Sequence, residues 1–573
     1  MPVAMKWPVL RMHSRSFCSN RYIYGELVAR LPGGRELELG AMTQCLEFTC
    51  AAGLGAALLK AWDKSQSKRV PQRGESFMPP LASPAMKYMT SPARHKVRES
   101  QPSYPTTVRV SSDASLTQAE ADFGKLPGFS QDIDKTFFLD VLKKLIGEAK
   151  HLQNNPRLGI HPEEKRAAQV VLQSLKAYST QAGGPLVLEE LEYVKGRSNV
   201  KVTYPGSSKA TVSFVGSHFD VVPADPESWS KDPFALTIEG DNLYGRGTTD
   251  CLGHVALLTT FLRELGRCKP KLKRSIVVLF IAAEEGGEKN VGVDKVVENG
   301  KLTEAKNGPV YWVDSADSNP CCGTAGALSW SLKCKGRLFH SGFPNKAINS
   351  IELAQEAVAF IQERFYNDFP PLPEEELYAF NTGSHMKPTQ IECSKGSFNQ
   401  IPAETTVHGD IRLSPFYEVE DVVEHIEQYV KDLNDELGDL QTHNRGPWSK
   451  FVLPSNVQVQ ANEISHGKVE LVWMGDMDSF KLYAGLACKL ESEGHKALVQ
   501  AFRESNKGVA PFSINGSLPL VKMMQKSGFD IQLCGFGRMS VYHGVNEYCT
   551  MSEMVKAYEV VARLLCLLEA ATE

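Results

Sequence analysis

Val212-Ser213-Phe214-Val215-Gly216-Ser217-His218-Phe219-Asp220 is an apolar run that stops at an imidazole and a carboxylate. The pattern recurs where Ile276-Val277-Val278-Leu279-Phe280-Ile281 leads into Glu284-Glu285, and where Pro309-Val310-Tyr311-Trp312-Val313 leads into Asp314. A strand buried on both faces reads as a continuous apolar run, and open α/β sheets gather their chemistry at the carboxyl ends of parallel strands. Three such runs predict a mostly parallel, mixed sheet whose carboxyl edge carries oxygen and nitrogen donors, hence a metal site. A late polar cluster supplies a further imidazole, His543.

Working outward, Phe138, Val141, Leu142 and Leu145 recur at helical spacing, and Pro162 opens a helix carrying Ala167, Val171 and Leu175. Strands and helices alternate through about residue 322, which predicts an α/β fold with helices on both faces of the sheet. Residues 326–438 change rhythm. A strand leads to a helix with Ile351, Ala354, Val358, Ile361 and Phe365 on one face; a Pro-rich loop, more strand-like segments and a helix with Val419, Val422, Ile426 and Tyr429 follow. This predicts a small ferredoxin-like α/β lid inserted into a catalytic domain made of residues 131–325 and 439–573.

Composition narrows the function. The 573-residue chain is 42% hydrophobic and 23% charged with a formal net charge of -4, so it has no electrostatic footprint for nucleic acid or an anionic membrane. A small-molecule or peptide partner is expected. Thirteen cysteines, with no C-x-x-C pair, read as reduced thiols in an intracellular protein, and the adjacent Cys321-Cys322 as two packed thiols. No apolar run approaches the roughly 18 to 20 residues that span a bilayer. The nearest, residues 48–59, begins too far from the terminus for a secretory signal. Lys6, Arg11, Arg15 and Arg21 precede the first acidic residue, Glu26, and residues 62–116 are rich in Ser, Pro, Lys and Arg. Residues 1–130 are therefore expected to be a largely disordered leader, either an organelle transit peptide or an extension without a targeting role. The compartment is then cytoplasmic or organellar, in a mitochondrion or plastid.

Residues two apart on a strand share a face, so Asp220 can accept the spare N–H of His218 and orient the ring while its other nitrogen binds metal. A chance His-x-Asp is the plain alternative. Gly245-Arg246-Gly247-Thr248-Thr249-Asp250 ends in a carboxylate whose two oxygens can bridge two cations; alternatively Asp250 caps the following helix. The glycines lack both the Rossmann spacing and a Walker lysine. Glu284-Glu285 follows the strongest buried-strand candidate, where an unpaired charge is costly unless a metal or a proton compensates it. One glutamate can serve as ligand and its neighbour as general base; solvated surface is the alternative. His218, Asp250 and Asp314 on one ion, and Asp250, Glu285 and His543 on the other, complete a two-cation count. Mixed His and carboxylate donors suit two zinc ions, with cobalt or manganese as substitutes. Asp317 competes with Asp314.

The ordered set of His-x-Asp, Gly-Arg-Gly-Thr-x-Asp, Glu-Glu, Asp and a late His resembles the di-zinc aminoacylase and carboxypeptidase superfamily over about residues 132–573. Finer motifs resemble its plant-type acetylornithine deacetylase branch. They are Arg246-Gly247-Thr248-Thr249-Asp250-Cys251-Leu252-Gly253-His254, Lys387-Pro388-Thr389-Gln390, Asn399-Gln400-Ile401-Pro402, and Tyr542-His543 with Asn546-Glu547-Tyr548. The resemblance implies metal binding by His218, Asp250, Glu285, Asp314 and His543, orientation by Asp220, and Glu284 as general base. It also implies a non-proline cis peptide after Asp250. Cys251-Leu252-Gly253-His254 departs from the acidic residue and Lys-Gly that many members carry there.

His340 matches the lid histidine that in relatives reaches a substrate carbonyl, often in the partner subunit's site, which implies a homodimer formed through the lid. Asp410 and Arg412 share one face of a strand, opposite Val407, Ile411 and Leu413. Arg412 is expected to grip a substrate carboxylate with Asn399 close by, the alternative being an Asp410 to Arg412 ion pair. The expected activity is hydrolysis of an N-acyl amino acid, acetylornithine for this branch. A dipeptidase or broad aminoacylase has the same ligand set, and an inactive metal-binding scaffold is the non-enzymatic alternative.

Overall fold

The computed structural model describes residues 28–30, 36–38, 129–314, 317–440, 450–505 and 509–571. The chain divides into two compact units, residues 1–110 and 111–573. In the first, Val28–Arg30 and Glu36–Glu38 pair antiparallel. Of the rest of the expected leader only residues 129 and 130 are described; the apolar stretch 48–59 lies outside the described residues.

The second unit is built on a nine-stranded sheet. Four parallel strands form its centre, in the order Asp530–Cys534, Pro309–Val313, Thr211–Val215 and Ser275–Phe280. Antiparallel strands Arg197–Tyr204 and Val187–Val194 extend one side. Cys321–Thr324, with Leu486–Ala487 and Phe512–Ile514, extends the other. Central strands are buried at every position but Ser275 and Asp530, because both faces are covered. Val212, Phe214, Ile276, Val278 and Phe280 share a core with the helices Lys135–Glu148, Lys165–Leu175, Leu252–Cys268 and Met551–Ala570. The opposite parity, Val215, Val277, Leu279, Val310 and Trp312, packs with Val293, Leu302, Leu520 and Met524. Each such side chain contributes roughly 1.5–3 kcal/mol on burial. Leu252–Cys268 is buried nearly all round because it lies between the sheet and neighbouring helices.

The lid follows the order strand, helix, strand, strand, helix, strand, which is ferredoxin-like. Its antiparallel sheet runs His385–Cys393, Glu404–Leu413, Gly326–Lys335, Lys468–Trp473. Helices Ser350–Asp368 and Val419–Glu436 cover one face, with Leu353, Ile361, Val422 and Ile426 against Leu328, Trp330 and Ile411. Gly409 makes room for that tryptophan, since a Cβ there would stand 2.1 Å from the Trp330 ring. One boundary is corrected. The fourth strand, Lys468–Trp473, pairs with Gly326–Lys335 from beyond residue 438, so the lid reaches at least Trp473.

Gly326 follows directly from the large sheet, and Ala327 N–H donates to the Tyr483 carbonyl at 3.1 Å. The Gly326/Leu413 end of the lid sheet is therefore its junction. The Lys335/Glu404 end stands roughly 30 Å away by strand rise. Among the described residues no helix is long and apolar enough to cross a membrane.

Candidate metal centre

Three of the four central parallel strands lead at their carboxyl ends into chemistry-bearing residues, His218, Glu284-Glu285 and Asp314. After Val215 the chain turns at Gly216, whose φ of 99° and closeness to Trp312, 2.7 Å from a hypothetical Cβ, exclude a side chain. Fully buried His218 follows. Its Nδ1 stands 2.9 Å from the Asp220 main-chain oxygen and 3.1 Å from Asp220 Oδ1. That contact turns Nε2 toward Asp250 Oδ1 at 3.1 Å and Asp314 Oδ1 at 3.8 Å. Asp220 also accepts from the Glu284 and Glu285 N–H groups and from Asn154 Nδ2.

Asp250 is followed by a cis peptide to Cys251, and its side chain is not a helix cap. The N-cap of Leu252–Cys268 is Cys251, while the two Asp250 oxygens face two imidazoles. Oδ2 lies 3.0 Å from His543 Nε2, which is also 3.1 Å from Glu285 Oε2. Two groups of potential ligand atoms result, His218, Asp250, Cys251 and Asp314 in one and Asp250, Glu285 and His543 in the other, each within 4.8 Å. Asp250 belongs to both. Asp317 lies outside these groups and accepts the Met539 N–H at 2.8 Å.

The donor set fits two divalent cations. Glu285 Oε1 is buried and accepts no hydrogen bond among the described residues. Burial, then Asp314, raises Glu284 well above the ordinary glutamate range. Burial, then Asp250, pushes Glu285 up to about 7. Burial opposes charge on His543, yet Asp250 and Glu285 raise it to about 10. Carboxylates crowded and buried in this way call for compensating positive charge, which two bound cations would supply.

Glu547 enters the site although sequence reasoning noted it only within a motif. Fully buried, it accepts from the N–H groups of Gly247, Thr249 and Asp250 at 3.1, 2.8 and 2.9 Å, and from Arg246 Nη1 at 2.6 Å. One carboxylate therefore shapes the loop that presents Asp250. The nearby Asn546-Glu547 pair after His543 was the available signal. Cys251 was visible only as a departure from the family pattern.

The lid residues separate into two places. His340 is exposed on the Phe339–His340 strand, which pairs with Gln400–Ile401 at the far end of the lid. Gly342 N–H donates to its Nδ1 at 2.9 Å, which in the neutral ring leaves Nε2 as the N–H. Asn399 Nδ2 lies 3.4 Å from that Nε2. Arg412 stands near the junction end, paired through Nε with Asp410 Oδ2 at 2.6 Å. Eight residues of extended strand separate Glu404 from Arg412, roughly 26 Å. Asn399 therefore accompanies His340 within one chain, and the expected closeness of Asn399 to Arg412 is corrected.

A family model described as Peptidase family M20/M25/M40 matches residues 214–566. Two curated relatives are similar over most of the chain. The acetylornithine deacetylase of Arabidopsis thaliana is 48% identical over 441 residues, 76% of this chain and 96% of that protein. That of Dictyostelium discoideum is 47% identical over 454 residues, 77% and 99%. Among solved structures, an M20-family metallo-carboxypeptidase from Sulfolobus solfataricus superimposes with a TM-score of 0.54 at 18% identity, covering 75% of this chain and 99% of the other. A di-peptidase from Saccharomyces cerevisiae gives 0.52 at 17% identity, covering 77% and 97%. These two share the fold.

Proposed function

The chain belongs to peptidase family M20/M25/M40, and from that premise we propose that it is a two-metal amide hydrolase converting N2-acetyl-L-ornithine to ornithine and acetate, a step toward arginine. One observation carries the reaction class: a single carboxylate, Asp250, shared by two ligand groups beside the Glu284-Glu285 pair. The choice of substrate rests on the two deacetylases of nearly half identity.

His218, Asp250 and Asp314 would hold one cation, and Asp250, Glu285 and His543 the other, zinc being the preferred ion for such donors. When bound, the pair polarises the amide carbonyl and makes water acidic enough to attack at neutral pH. Glu284 takes a proton from the attacking water and passes it to the amine as the C–N bond breaks, so the same carboxylate acts as base and then as acid. Asp220 holds His218 through Nδ1. His340 Nε2–H stabilises the oxyanion that forms on the amide oxygen. Arg412 has its Nε on Asp410, which leaves its Nη nitrogens for the substrate α-carboxylate.

His340 and Asn399 stand at the end of the lid remote from its junction, which supports their delivery into the site of a second copy. The outer lid strand is exposed from Lys387 to Cys393 and offers an unpaired edge for that association. These features support a homodimer formed through the lid.

The deciding experiment measures ornithine release from N-acetylornithine, with N-acetylmethionine and a dipeptide as competitors, with and without added zinc or cobalt. Metal-dependent release fastest on N-acetylornithine is expected; faster dipeptide cleavage would overturn the substrate. Glu284→Gln should lower turnover by about 10²–10⁴-fold while retaining two metals per chain.

A further inference from the structure

Residues 284–288 form the loop that carries Glu284, and groups outside the ligand set hold it at both ends. At its start, Glu284 N–H donates to Asp220 Oδ1 at 3.0 Å and Glu285 N–H to Asp220 Oδ2 at 3.1 Å. At its end, Glu288 Oε2 accepts from Arg197 Nη1 at 2.5 Å and from Asn154 Nδ2 at 3.4 Å. The same Asn154 nitrogen donates to Asp220 Oδ2 at 2.8 Å, so one buried amide ties the two anchors together. Two acceptor carboxylates fix the orientation of that amide, because the reverse would set its carbonyl oxygen against both.

Between the anchors the backbone is hemmed in. A Cβ on Gly286 would stand 3.0 Å from Asn154 Nδ2, and one on Gly287 1.8 Å from the Tyr483 hydroxyl. Arg197 cannot swing away, since Glu164, fully buried, holds its Nε at 3.0 and 2.9 Å and its Nη2 at 2.5 Å. The guanidinium is therefore divided, one edge to Glu164 and Nη1 to Glu288, a geometry that only the planar fork of arginine provides.

Two consecutive glycines leave the middle of this loop no side chains of its own to fix its backbone, and general-base work needs the Glu284 oxygen within about 2.6–3.2 Å of the proton it takes. A displacement of 1 Å at such a group costs on the order of 100-fold in rate. We infer that Asn154, Arg197 and Glu288 form a clamp that sets the position of the Glu284 carboxylate, which makes them positioning residues for proton transfer; the inference rests on the hydrolase reading above.

Glu288 is partly exposed, so its variants are suited to the test. Glu288→Ala should lower kcat by about 10–100-fold, leave KM within about twofold, keep two metals per chain and speed amide hydrogen exchange in the peptide spanning residues 284–291. Glu288→Gln keeps an acceptor oxygen for Arg197 and should recover most of the rate. Asn154→Ala should repeat the Glu288→Ala signature. An unchanged kcat in Glu288→Ala overturns the clamp. So does a fall shared equally by Glu288→Ala and Glu288→Gln and accompanied by loss of metal or of thermal stability. Glu284→Gln and the unmutated protein run alongside separate the two claims: no metal-dependent release by the unmutated protein removes the hydrolase reading, full activity in Glu284→Gln removes Glu284 from proton transfer and the clamp with it, and a dead Glu284→Gln beside a fully active Glu288→Ala removes the clamp alone.

Discussion

Glu547 spends its carboxylate on four donors of its own chain, three of them consecutive-loop N–H groups around Asp250. An amide in its place would turn an NH2 group toward N–H donors. Glu547→Gln should therefore weaken cation binding about 10–100-fold, measured by competition with a chromophoric chelator, with the fold retained. His218, Glu284, Glu285 and Asp314 were legible because each follows an apolar run, and such runs betray a buried strand, whereas Asp250 and His543 stood out only through the glycine-rich loop and the late polar cluster that carry them. Glu547 was not legible, because its role is to accept from backbone N–H groups, and no side-chain pattern marks which loop those groups belong to. Asn154 escaped for a related reason: it sits on no periodic element, between a short turn and a bridge to Val221, and acquires meaning only from its two acceptors. The Arg412 ion pair with Asp410 was foreseen from their shared face, whereas the distance from Arg412 to Asn399 required the strand register.

At the scale of elements, three of the four strands at the sheet centre follow from their apolar runs and the first flanking helices from hydrophobic period, whereas Asp530–Cys534, with Asp530 and Gln532 in it, carries no such run. Nor does the lid strand Lys468–Trp473. It is an edge strand with only Val469 fully buried, and its partner lies more than 130 residues earlier, so neither burial pattern nor proximity announces it. Helix ends are better marked. Met551–Ala570 begins with a capping box in which Thr550 Oγ1 accepts the Glu553 N–H and the Glu553 carboxylate accepts the Thr550 N–H. This helix packs in the core shared by Leu252–Cys268, directly after the Glu547 loop. Thr550→Ala should cost about 1 kcal/mol in denaturant unfolding with an unchanged m-value.

For the whole molecule, the separation between His340 and the lid junction makes a prediction that no single-chain enzyme could satisfy. His340→Ala and Glu284→Gln homodimers should each be nearly inactive. Coexpressed, they should form hybrids in which one centre combines an intact Glu284 with an intact His340 from the other chain, restoring about a quarter of wild-type activity. No recovery in purified hybrids would place both groups in one chain's centre. The order of the strands has another consequence, one for synthesis. Pro309–Val313 lies between Thr211–Val215, already made when it emerges, and Asp530–Cys534, which appears only after the entire lid has been translated. At cellular elongation rates that interval is on the order of ten seconds or more. Throughout it the nascent chain carries a bare parallel edge bearing Tyr311 and Trp312, a template for mispairing with neighbouring polypeptides. The length of the lid thus sets how long that edge waits for its partner strand during synthesis.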